Sequence, residues 1–239
     1  MTPAKRFPTP QGARAARRLH NPLTHLEALM ALPQHVLYGG ETPNGLPSVT
    51  IGIVSSSAEV DAMPTYTAED YWNLPDGERA ELIDGQLYAM ASPSWVHQSI
   101  VMRIAPILDA HIRKHGGPCK VNIAPFAVNL KGDGKTMVEP DILVVCDPSK
   151  LSDKQCMGAP DLVVEVVSPS SKRMDYVKKY GLYSAAGVRE YWIVDPVKSM
   201  TTVYNFADGN LAPVIYPFSV PVPVGIYPDL EITVADLID

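Results

Sequence analysis

Two carboxylates attached to apolar strands are the residues of this chain whose types and spacing suggest chemistry. Asp141 opens the hydrophobic run 141–146, and Glu165 interrupts the β-branched run 161–168. An ionised carboxylate in a valine-rich strand is costly to bury unless its charge is compensated. A divalent metal ion shared by two carboxylates provides this compensation, because hard cations prefer oxygen ligands. The alternative is that Glu165 faces solvent from a half-exposed sheet, but its pairing with Asp141 favours the metal.

The two strands are predicted to form an antiparallel hairpin that brings the carboxylates together. If they pair across a polar loop over 147–160, residues whose numbers sum to about 307 face each other. Asp141 then lies opposite residue 166, one step from Glu165, and a small asymmetry of the loop aligns the carboxylates. Both would then reach one cation. Because side chains alternate along a strand, Glu165 is expected on the same face as its valine neighbours two residues away.

A lysine on the following helix is the third element of the predicted site. Lys179 lies one helical turn after Asp175 and one turn before Tyr183, so the three side chains share a face. Beside two metal-bound carboxylates, a lysine can orient a water molecule or stabilise phosphoryl charge. The alternative is a solvated helix with an ordinary Asp–Lys pair. Tyr183 is expected to pack in the core, with a hydrogen bond within the site as the alternative.

The elements that position these residues follow from local signals. Thr67 caps a short helix, with Asp70 at the reciprocal position of a capping box. Asp84–Gly85 forms the turn of a β-hairpin. Ser94 begins a long helix that ends at Gly116–Gly117. Strands that alternate with helices in this way predict an α/β or α+β protein.

Composition and charge limit the class of protein. The chain has 239 residues, of which 46% are hydrophobic, as is ordinary for a globular protein with a buried core. Its formal net charge of −6 argues against nucleic-acid binding through an extended basic surface. A polyanion would therefore bind to local basic residues and to metal. No apolar run approaches the ~20 residues of a membrane-spanning helix, and no membrane association is expected.

The three cysteines predict a reducing compartment. Cys119, Cys146 and Cys156 stand in apolar contexts and are odd in number, which predicts reduced, buried thiols in a cytoplasmic protein.

Residues 1–62 differ in composition from the remainder, 63–239, which is predicted to be the functional domain. They hold five basic residues, all within Lys5–Arg18, four acidic residues and seven prolines. We interpret them as a disordered N-terminal extension, or as upstream sequence translated ahead of a natural start at Met63. The alternative is a transit peptide or a nucleic-acid-binding arm, although no hydrophobic signal core follows. The run Ser48–Val54 is compatible with a strand.

Five short motifs in 63–239 resemble a known family. They are Pro140-Asp141, Glu165-Val-Val-Ser-Pro169, Asp175-x-x-x-Lys179-x-x-x-Tyr183, Ala186-Gly-Val188 and Glu190-Tyr-Trp-Ile-Val-Asp-Pro196. In this order and spacing they resemble the Uma-two family of restriction endonucleases, which belongs to the PD-(D/E)XK, restriction-endonuclease-like superfamily. The resemblance runs from about Tyr66 to the C-terminus, and residues 1–62 have no counterpart in it.

The resemblance implies a fold, an activity and a set of metal ligands. The fold is a restriction-endonuclease-like core in which helices flank a central mixed β-sheet. The activity is Mg²⁺-dependent endonuclease hydrolysis of nucleic-acid phosphodiester bonds, with DNA as the favoured substrate and Mn²⁺ as a substitute cation. The implied ligands are Asp141, Glu165 and the backbone carbonyl of Val166. The superfamily lysine would stand where this chain has Val167, so the resemblance assigns the catalytic lysine to Lys179.

Other side chains are weaker candidates. The resemblance suggests Glu81 as a further catalytic residue, although an acid at the start of a strand usually faces solvent. His97 lies in the first turn of a helix and continues its apolar stripe, so we interpret it as a satisfied, partly buried histidine rather than a ligand. Lys172, Arg173 and Lys178 form a basic cluster that suits a phosphate backbone or, equally well, a solvated helix start.

Two other functions are compatible with the sequence. A nucleic-acid-binding or adaptor module would keep this fold without cleavage. The replacement of the superfamily lysine by Val167 is compatible with this function. A hydrolase that uses paired carboxylates without metal, as glycosidases do, would need an aromatic-lined sugar cleft. Lys179 and the valine-rich strands favour the metal-dependent nuclease over both. A homodimer would suit cleavage of both strands of DNA, although no residue demonstrates one.

Overall fold

The computed structural model describes residues 38–41, 47–50, 65–169, 171–209 and 212–237. The chain falls into two units, Met1–Ala62 and Met63–Asp239. In the first unit, strand β1 (Tyr38–Glu41) pairs antiparallel with strand β2 (Pro47–Thr50). The strand predicted at Ser48–Val54 is therefore present in its first residues. The rest of that run and the predicted disorder of the extension lie outside the described residues.

The second unit begins with two locally encoded elements. Helix α1 (Ala68–Trp72) starts at Thr67, whose side chain and that of Asp70 form the predicted capping box. Strands β3 (Ala80–Ile83) and β4 (Gln86–Ala89) then form an antiparallel hairpin. Its turn residues, Asp84 and Gly85, both have positive φ, as a two-residue turn of this kind requires. These predictions are confirmed because each signal lies within a few residues of the element it specifies.

The long helix α2 (Trp95–His115) begins after Ser94, whose hydroxyl accepts a hydrogen bond from the His97 N–H, and ends at Gly116 with φ of 73°. Its buried face presents Ile100, Ile104 and Leu108 to the core. These residues recur every three to four positions, which places them on one side of the helix. Within the described part of the chain, no helix combines the length and apolar character needed to cross a membrane.

Two sheets form the centre of the second unit. Its remaining strands are β5 (Lys120–Ile123), β6 (Ala127–Asn129), β7 (Met137–Val138), β8 (Ile142–Val145), β9 (Gln155–Met157), β10 (Leu162–Val166), β11 (Glu190–Asp195), β12 (Met200–Asn205), β13 (Val214–Pro217), β14 (Val222–Val224) and β15 (Tyr227–Ile232). The larger sheet has the order β13-β12-β11-β10-β8-β5, and the smaller has the order β4-β3-β7-β6-β9. Strands β14 and β15 form a separate ribbon.

The larger sheet is mixed, as predicted. Strand β10 is parallel to β11 and antiparallel to β8. Parallel neighbours need a crossover connection, and here it contains a π-helix (Met174–Lys179) that continues into helix α3 (Tyr180–Ala186). Gly187 ends α3 with φ of 88°. Since the sheet is mixed and helices accompany it, the predicted α/β (α+β) fold class is confirmed.

Alternation along β10 divides the core into two layers. Leu162, Val164 and Val166 pack with helix α2 on one side of the sheet. Val163 and Val167 pack with Tyr183 of helix α3 on the other. Glu165 lies two residues from both Val163 and Val167, so its side chain points to the same face of the sheet as theirs. It therefore belongs to the layer that contains α3, as the sequence predicted.

The structure corrects the prediction for the cysteines. Cys119 and Cys146 form a disulfide, and Cys156 is a free, buried thiol. The physical reason is strand register, since Lys120 of β5 lies opposite Val145 of β8. Continuing this antiparallel register by one residue places Cys119 opposite Cys146. Their separation of 27 residues gives no hint of this pairing.

The connection over 147–160 is more ordered than the predicted loop. It contains a short 3₁₀ helix (Pro148–Lys150) and strand β9. Strand β9 pairs in parallel with β6, so that Cys156 lies opposite Val128. A three-residue strand has too little periodicity to be distinguished from a loop by pattern alone.

Candidate active site

Strand register brings the two predicted carboxylates face to face. Ile142 of β8 lies opposite Val164 of β10, and continuing this register by one residue places Asp141 opposite Glu165. This register differs by one residue from that of a symmetric loop over 147–160, which is the small asymmetry that the sequence analysis required. Directly opposed residues of an antiparallel pair point to the same side of the sheet. The two carboxylates therefore lie on the same side of the larger sheet.

Asp141 is held from two sides through one oxygen. Its Oδ2 accepts a hydrogen bond of 2.7 Å from the backbone N–H of Val166 and lies 3.0 Å from Nε2 of His97. The cap at Ser94 places His97 in the first turn of α2, where the side chain is buried. The sequence predicts a satisfied, partly buried histidine; in the structure Nε2 of His97 has Asp141 as its partner, but its buried Nδ1 has no hydrogen-bond partner among the described residues, so the prediction holds for one ring nitrogen only. The role of the Val166 carbonyl as a ligand stays a prediction.

Glu165 is buried and receives two donors on one oxygen. Only 3% of the residue is exposed. Its Oε1 lies 2.9 Å from Nζ of Lys179 and accepts a hydrogen bond of 2.7 Å from the Tyr183 hydroxyl. Both donors come from consecutive turns of the helix that crosses from β10 to β11, which confirms the predicted shared helix face. Tyr183 therefore packs in the core and also contacts the site.

Lys179 connects the larger sheet to the smaller one. Its Nζ lies 2.9 Å from Oε1 of Glu81 on β3 and 3.8 Å from Oδ1 of Asp175. Glu81 is buried, and its Oε1 also accepts a hydrogen bond of 3.0 Å from the backbone N–H of Glu139. The structure thus brings Glu81 to Lys179 and Glu165, and the solvent-facing alternative for Glu81 is wrong.

Burial and charge shift the pKa values of this cluster in a consistent pattern. Burial raises the pKa of Glu165 well above its usual value, against the opposing effect of Lys179. Burial lowers the pKa of Lys179, but Glu165, Glu81 and Asp175 outweigh it and raise that pKa well above the usual value. Burial also raises the pKa of Asp175 to about 6, again opposed by Lys179. The two carboxyl pKa values rise mainly because burial disfavours the charged form, whereas the lysine keeps its proton because carboxylates surround it.

Comparison with known proteins identifies the family. The sequence profile of the Uma2 family, described as "Putative restriction endonuclease", matches residues 68–235. The chain belongs to the Uma2 family. This is the Uma-two family that the sequence motifs resemble. A Synechocystis sp. (strain ATCC 27184 / PCC 6803 / Kazusa) relative, "Uncharacterized protein slr1290", is 32% identical over 148 residues, which cover 61% of this chain and 76% of the relative.

Two further similarities agree with this assignment. "Uncharacterized protein sll1609" of the same Synechocystis strain is 25% identical over 122 residues, covering 49% of this chain and 67% of that protein. The crystal structure of a putative nuclease belonging to DUF820 from Anabaena variabilis ATCC 29413 has a TM-score of 0.59 at 18% identity, covering 72% of this chain and 96% of that one. This structural similarity establishes the shared fold. Membership of the Uma2 family supports a nuclease function.

The donor set of this Uma2 protein fits a hard cation. Glu81, Glu165 and Asp175 surround one ammonium group, Lys179, and Asp141 lies opposite Glu165, so that four carboxylates and one ammonium group give a formal excess of three negative charges. Among the described residues, the side-chain hydrogen bonds of Asp141 all go to Oδ2 and those of Glu165 all go to Oε1. The second oxygen of each carboxylate is therefore available as a ligand. Oxygen donors with excess negative charge are what Mg²⁺ and Mn²⁺ require.

The predicted basic cluster does not converge on these carboxylates. Lys172 and Arg173 are exposed, and Lys178 donates a hydrogen bond to the Tyr88 hydroxyl. Its role in binding a phosphate backbone stays a prediction.

Glu139, a further buried carboxylate in this region, was not identified from the sequence. Glu139 is buried, accepts a hydrogen bond of 2.6 Å from the Tyr71 hydroxyl and pairs with Arg79. Its backbone N–H donates a hydrogen bond to Oε1 of Glu81 and so helps to orient this residue of the smaller sheet toward the site. The one signal that could have found Glu139 is its position directly before Pro140-Asp141.

Proposed function

We propose that this protein is a Mg²⁺-dependent endonuclease that hydrolyses phosphodiester bonds of nucleic acid, with DNA as the preferred substrate and Mn²⁺ as a substitute cation. The observation that carries the proposal is the opposition of Asp141 and Glu165 across β8 and β10, with Lys179 bound to Glu165. Family membership supports the same reaction class. A buried site with excess negative charge has little affinity for a phosphodiester until a cation is bound.

Asp141, Glu165 and the Val166 carbonyl are the proposed ligands. The bound cation would neutralise charge on the phosphate and lower the pKa of a water molecule to supply the nucleophile. Strands β8 and β10 hold the two carboxylates rigidly, because both strands are fully buried in the centre of the larger sheet. Ligands on rigid strands keep their spacing better than ligands on loops.

Lys179 and His97 are proposed to orient the other groups. Lys179 retains its proton because three carboxylates surround it, so it acts as a fixed positive charge that positions Glu165 and can contact a phosphate oxygen. His97 holds Oδ2 of Asp141, which fixes the orientation of that carboxylate. Tyr183 has a similar role for Glu165, since its hydroxyl donates to Oε1.

The test is cleavage of plasmid DNA, single-stranded DNA and RNA by the full-length protein. Each substrate is incubated with Mg²⁺, with Mn²⁺ and with EDTA, alongside Asp141→Ala and Glu165→Ala variants. Asp153→Ala and Glu231→Ala serve as matched controls because both residues are exposed. Cleavage that needs the divalent cation and is lost only in the two site variants is the expected result. Cleavage that persists in EDTA or in either site variant would contradict the mechanism.

Two other outcomes separate the alternatives. Binding of DNA without cleavage under every condition would indicate a nucleic-acid-binding or adaptor module. Preference for RNA would change the substrate but leave the role of the carboxylates intact. A homodimer would suit cleavage of both strands, and light scattering in the presence and absence of DNA would measure it.

A further inference from the structure

A second cluster of metal-ligating side chains lies at the other end of helix α2. It consists of His111 and His115 on the last turns of the helix and Asp229 on β15. His111 Nε2 lies 3.5 Å from Oδ1 of Asp229, and His115 Nε2 lies 3.3 Å from Oδ2. The candidate ligand atoms of the three residues all lie within 4.8 Å of one another. The cluster is distinct from the active site, since His111 lies 14 helical steps after His97, a rise of about 21 Å along the helix.

The hydrogen bonding of His115 presents a lone pair to this cluster. Its Nδ1 lies 3.0 Å from the backbone carbonyl oxygen of His111. A carbonyl oxygen only accepts, so Nδ1 must carry the hydrogen. In the neutral imidazole, Nε2 then has the free lone pair, and it is Nε2 that faces Asp229. A hydrogen bond from the other ring nitrogen to a backbone carbonyl is typical of histidines that bind metal.

Packing orients the other histidine. The His111 side chain is only 9% exposed, and its ring lies 5.0 Å from that of Tyr227, centroid to centroid. The rings of His111 and His115 lie 4.2 Å apart, centroid to centroid. Since His111 and His115 are four residues apart on one helix face, both Nε2 atoms point toward the same strand. The site is therefore largely formed before any ligand arrives.

The spacing of the donors fits a small tetrahedral ion. Metal–ligand distances of about 2.0–2.2 Å in tetrahedral geometry place the ligand atoms about 3.3–3.6 Å apart. The two nitrogen–oxygen distances, 3.5 Å from His111 to Oδ1 of Asp229 and 3.3 Å from His115 to Oδ2, fall in this range. With one ligand atom taken from each residue, all separations stay within 4.8 Å. A lone pair of His115 beside a carboxylate oxygen is repulsive unless a cation lies between them. Only a proton or a metal ion can supply that charge.

We propose that His111, His115 and Asp229 bind a divalent transition-metal ion, with Zn²⁺ as the best fit. Two imidazole nitrogens and one carboxylate oxygen suit Zn²⁺ and its neighbours Co²⁺ and Ni²⁺, whereas Mg²⁺ prefers oxygen ligands throughout. The ion ties the C-terminal end of α2 to β15. A water molecule completes the coordination, because His115 and Asp229 are partly exposed.

The test uses the full-length chain with Asp141→Asn, which weakens metal binding at the active site while Glu165 keeps its buried pair with Lys179. Isothermal titration calorimetry measures Zn²⁺ binding to this background and to versions that also carry His115→Ala or Asp229→Asn. Both residues are exposed enough for the substitutions to leave the core intact. The matched control is Asp109→Asn, which removes the same charge as Asp229→Asn but on the helix that carries the two histidines, at a position that pairs only with Arg113 among the described residues.

One equivalent of Zn²⁺ is expected to bind the background and the Asp109→Asn control with equal affinity. Loss of an outer-shell partner weakens metal sites about 10- to 100-fold, so loss of a direct ligand is expected to weaken binding by at least about 100-fold. Co²⁺ should give the visible absorption of a tetrahedral site in the background and lose it in His115→Ala. Thermal unfolding should shift upward with Zn²⁺ only where the site is intact. Equal binding by His115→Ala, or no saturable binding by the background, would overturn the proposal.

Discussion

Nζ of Lys179 lies 2.9 Å from Oε1 of Glu165, and both residues are less than 5% exposed. A buried ion pair of this kind is costly to separate, because removal of one partner leaves the other charge without compensation. The same ammonium also holds Glu81 from the smaller sheet. The contact therefore links the stability of the second unit to the order of its candidate active site.

Replacement of Lys179 by Met should impair both stability and cleavage. Without the ammonium, Glu81 and Glu165 are buried carboxylates that lack their cation, and the free energy of unfolding at pH 7 should fall by about 3–5 kcal/mol. Cleavage should fall by about 100-fold or more under conditions where the variant is still folded. Urea denaturation and plasmid cleavage measure the two effects.

Lys154→Met is the control for this substitution, because Lys154 is exposed on the loop before β9. It should leave both measurements unchanged. A Lys179→Met variant as stable and active as the wild type would show that the ion pair has no role.

His97→Ala should reduce cleavage without unfolding the protein. His97 Nε2 lies 3.0 Å from Asp141 Oδ2, so its loss releases one of the two contacts that orient this carboxylate. Removal of such outer partners of a metal ligand typically costs 10–100-fold, and we expect cleavage and Mg²⁺ affinity to fall within about that range. The exposed neighbour Gln98 provides the control as Gln98→Ala. If the Mg²⁺ dependence of cleavage is the same in His97→Ala as in the wild type, the positioning role is excluded.

Glu81→Gln should separate the charge of this residue from its hydrogen bonding. The amide oxygen of Gln can still accept from the Glu139 N–H and from Lys179, so the free energy of unfolding should change by only about 1 kcal/mol. Cleavage should fall by about tenfold or more, because Lys179 loses one of its counter-charges and is less firmly positioned. Glu78→Gln, at an exposed position one residue before Arg79, is the control. Full activity in Glu81→Gln would exclude Glu81 from the site.

Asp175 should make the stability of the protein depend on pH. Its pKa is raised from 3.8 to about 6, so the folded state binds a proton that the unfolded chain does not between about pH 4 and pH 6. The free energy of unfolding contributed by this group therefore falls as pH rises through that window. The full shift corresponds to a loss of about 3 kcal/mol above pH 6. Solvent screening does not reduce this figure much, because the residue is only 1% exposed.

Asp175→Asn tests that dependence, since Asn resembles the protonated carboxyl. The variant should match the wild type near pH 4 and exceed its stability by up to about 3 kcal/mol near pH 7. Urea denaturation at several pH values, in the presence of EDTA, measures the difference. A stability difference that does not change between pH 4 and pH 7 would contradict the raised pKa.

Local signals in the sequence were enough to predict much of the fold. The capping box of Thr67 and Asp70, the Asp84–Gly85 turn and the start of α2 at Ser94 each depend on neighbours a few residues away. Alternation in 161–168 likewise predicted the face on which Glu165 lies. A three-residue element such as β9 was missed because its pairing with β6, not its own pattern, makes it a strand.

The sequence by itself determined the candidate chemistry, since Asp141, Glu165 and Lys179 could be recognised from their residue types and spacing. Only the tertiary structure decided which distant residues join them. The pairing of β5 with β8 joins Cys119 to Cys146, and the docking of α2 and β3 brings His97 and Glu81 to the site. These contacts depend on the burial of whole sheets and helices, which sets register and docking together. No local pattern contains that information, because the energy that selects the arrangement is spread over the entire core.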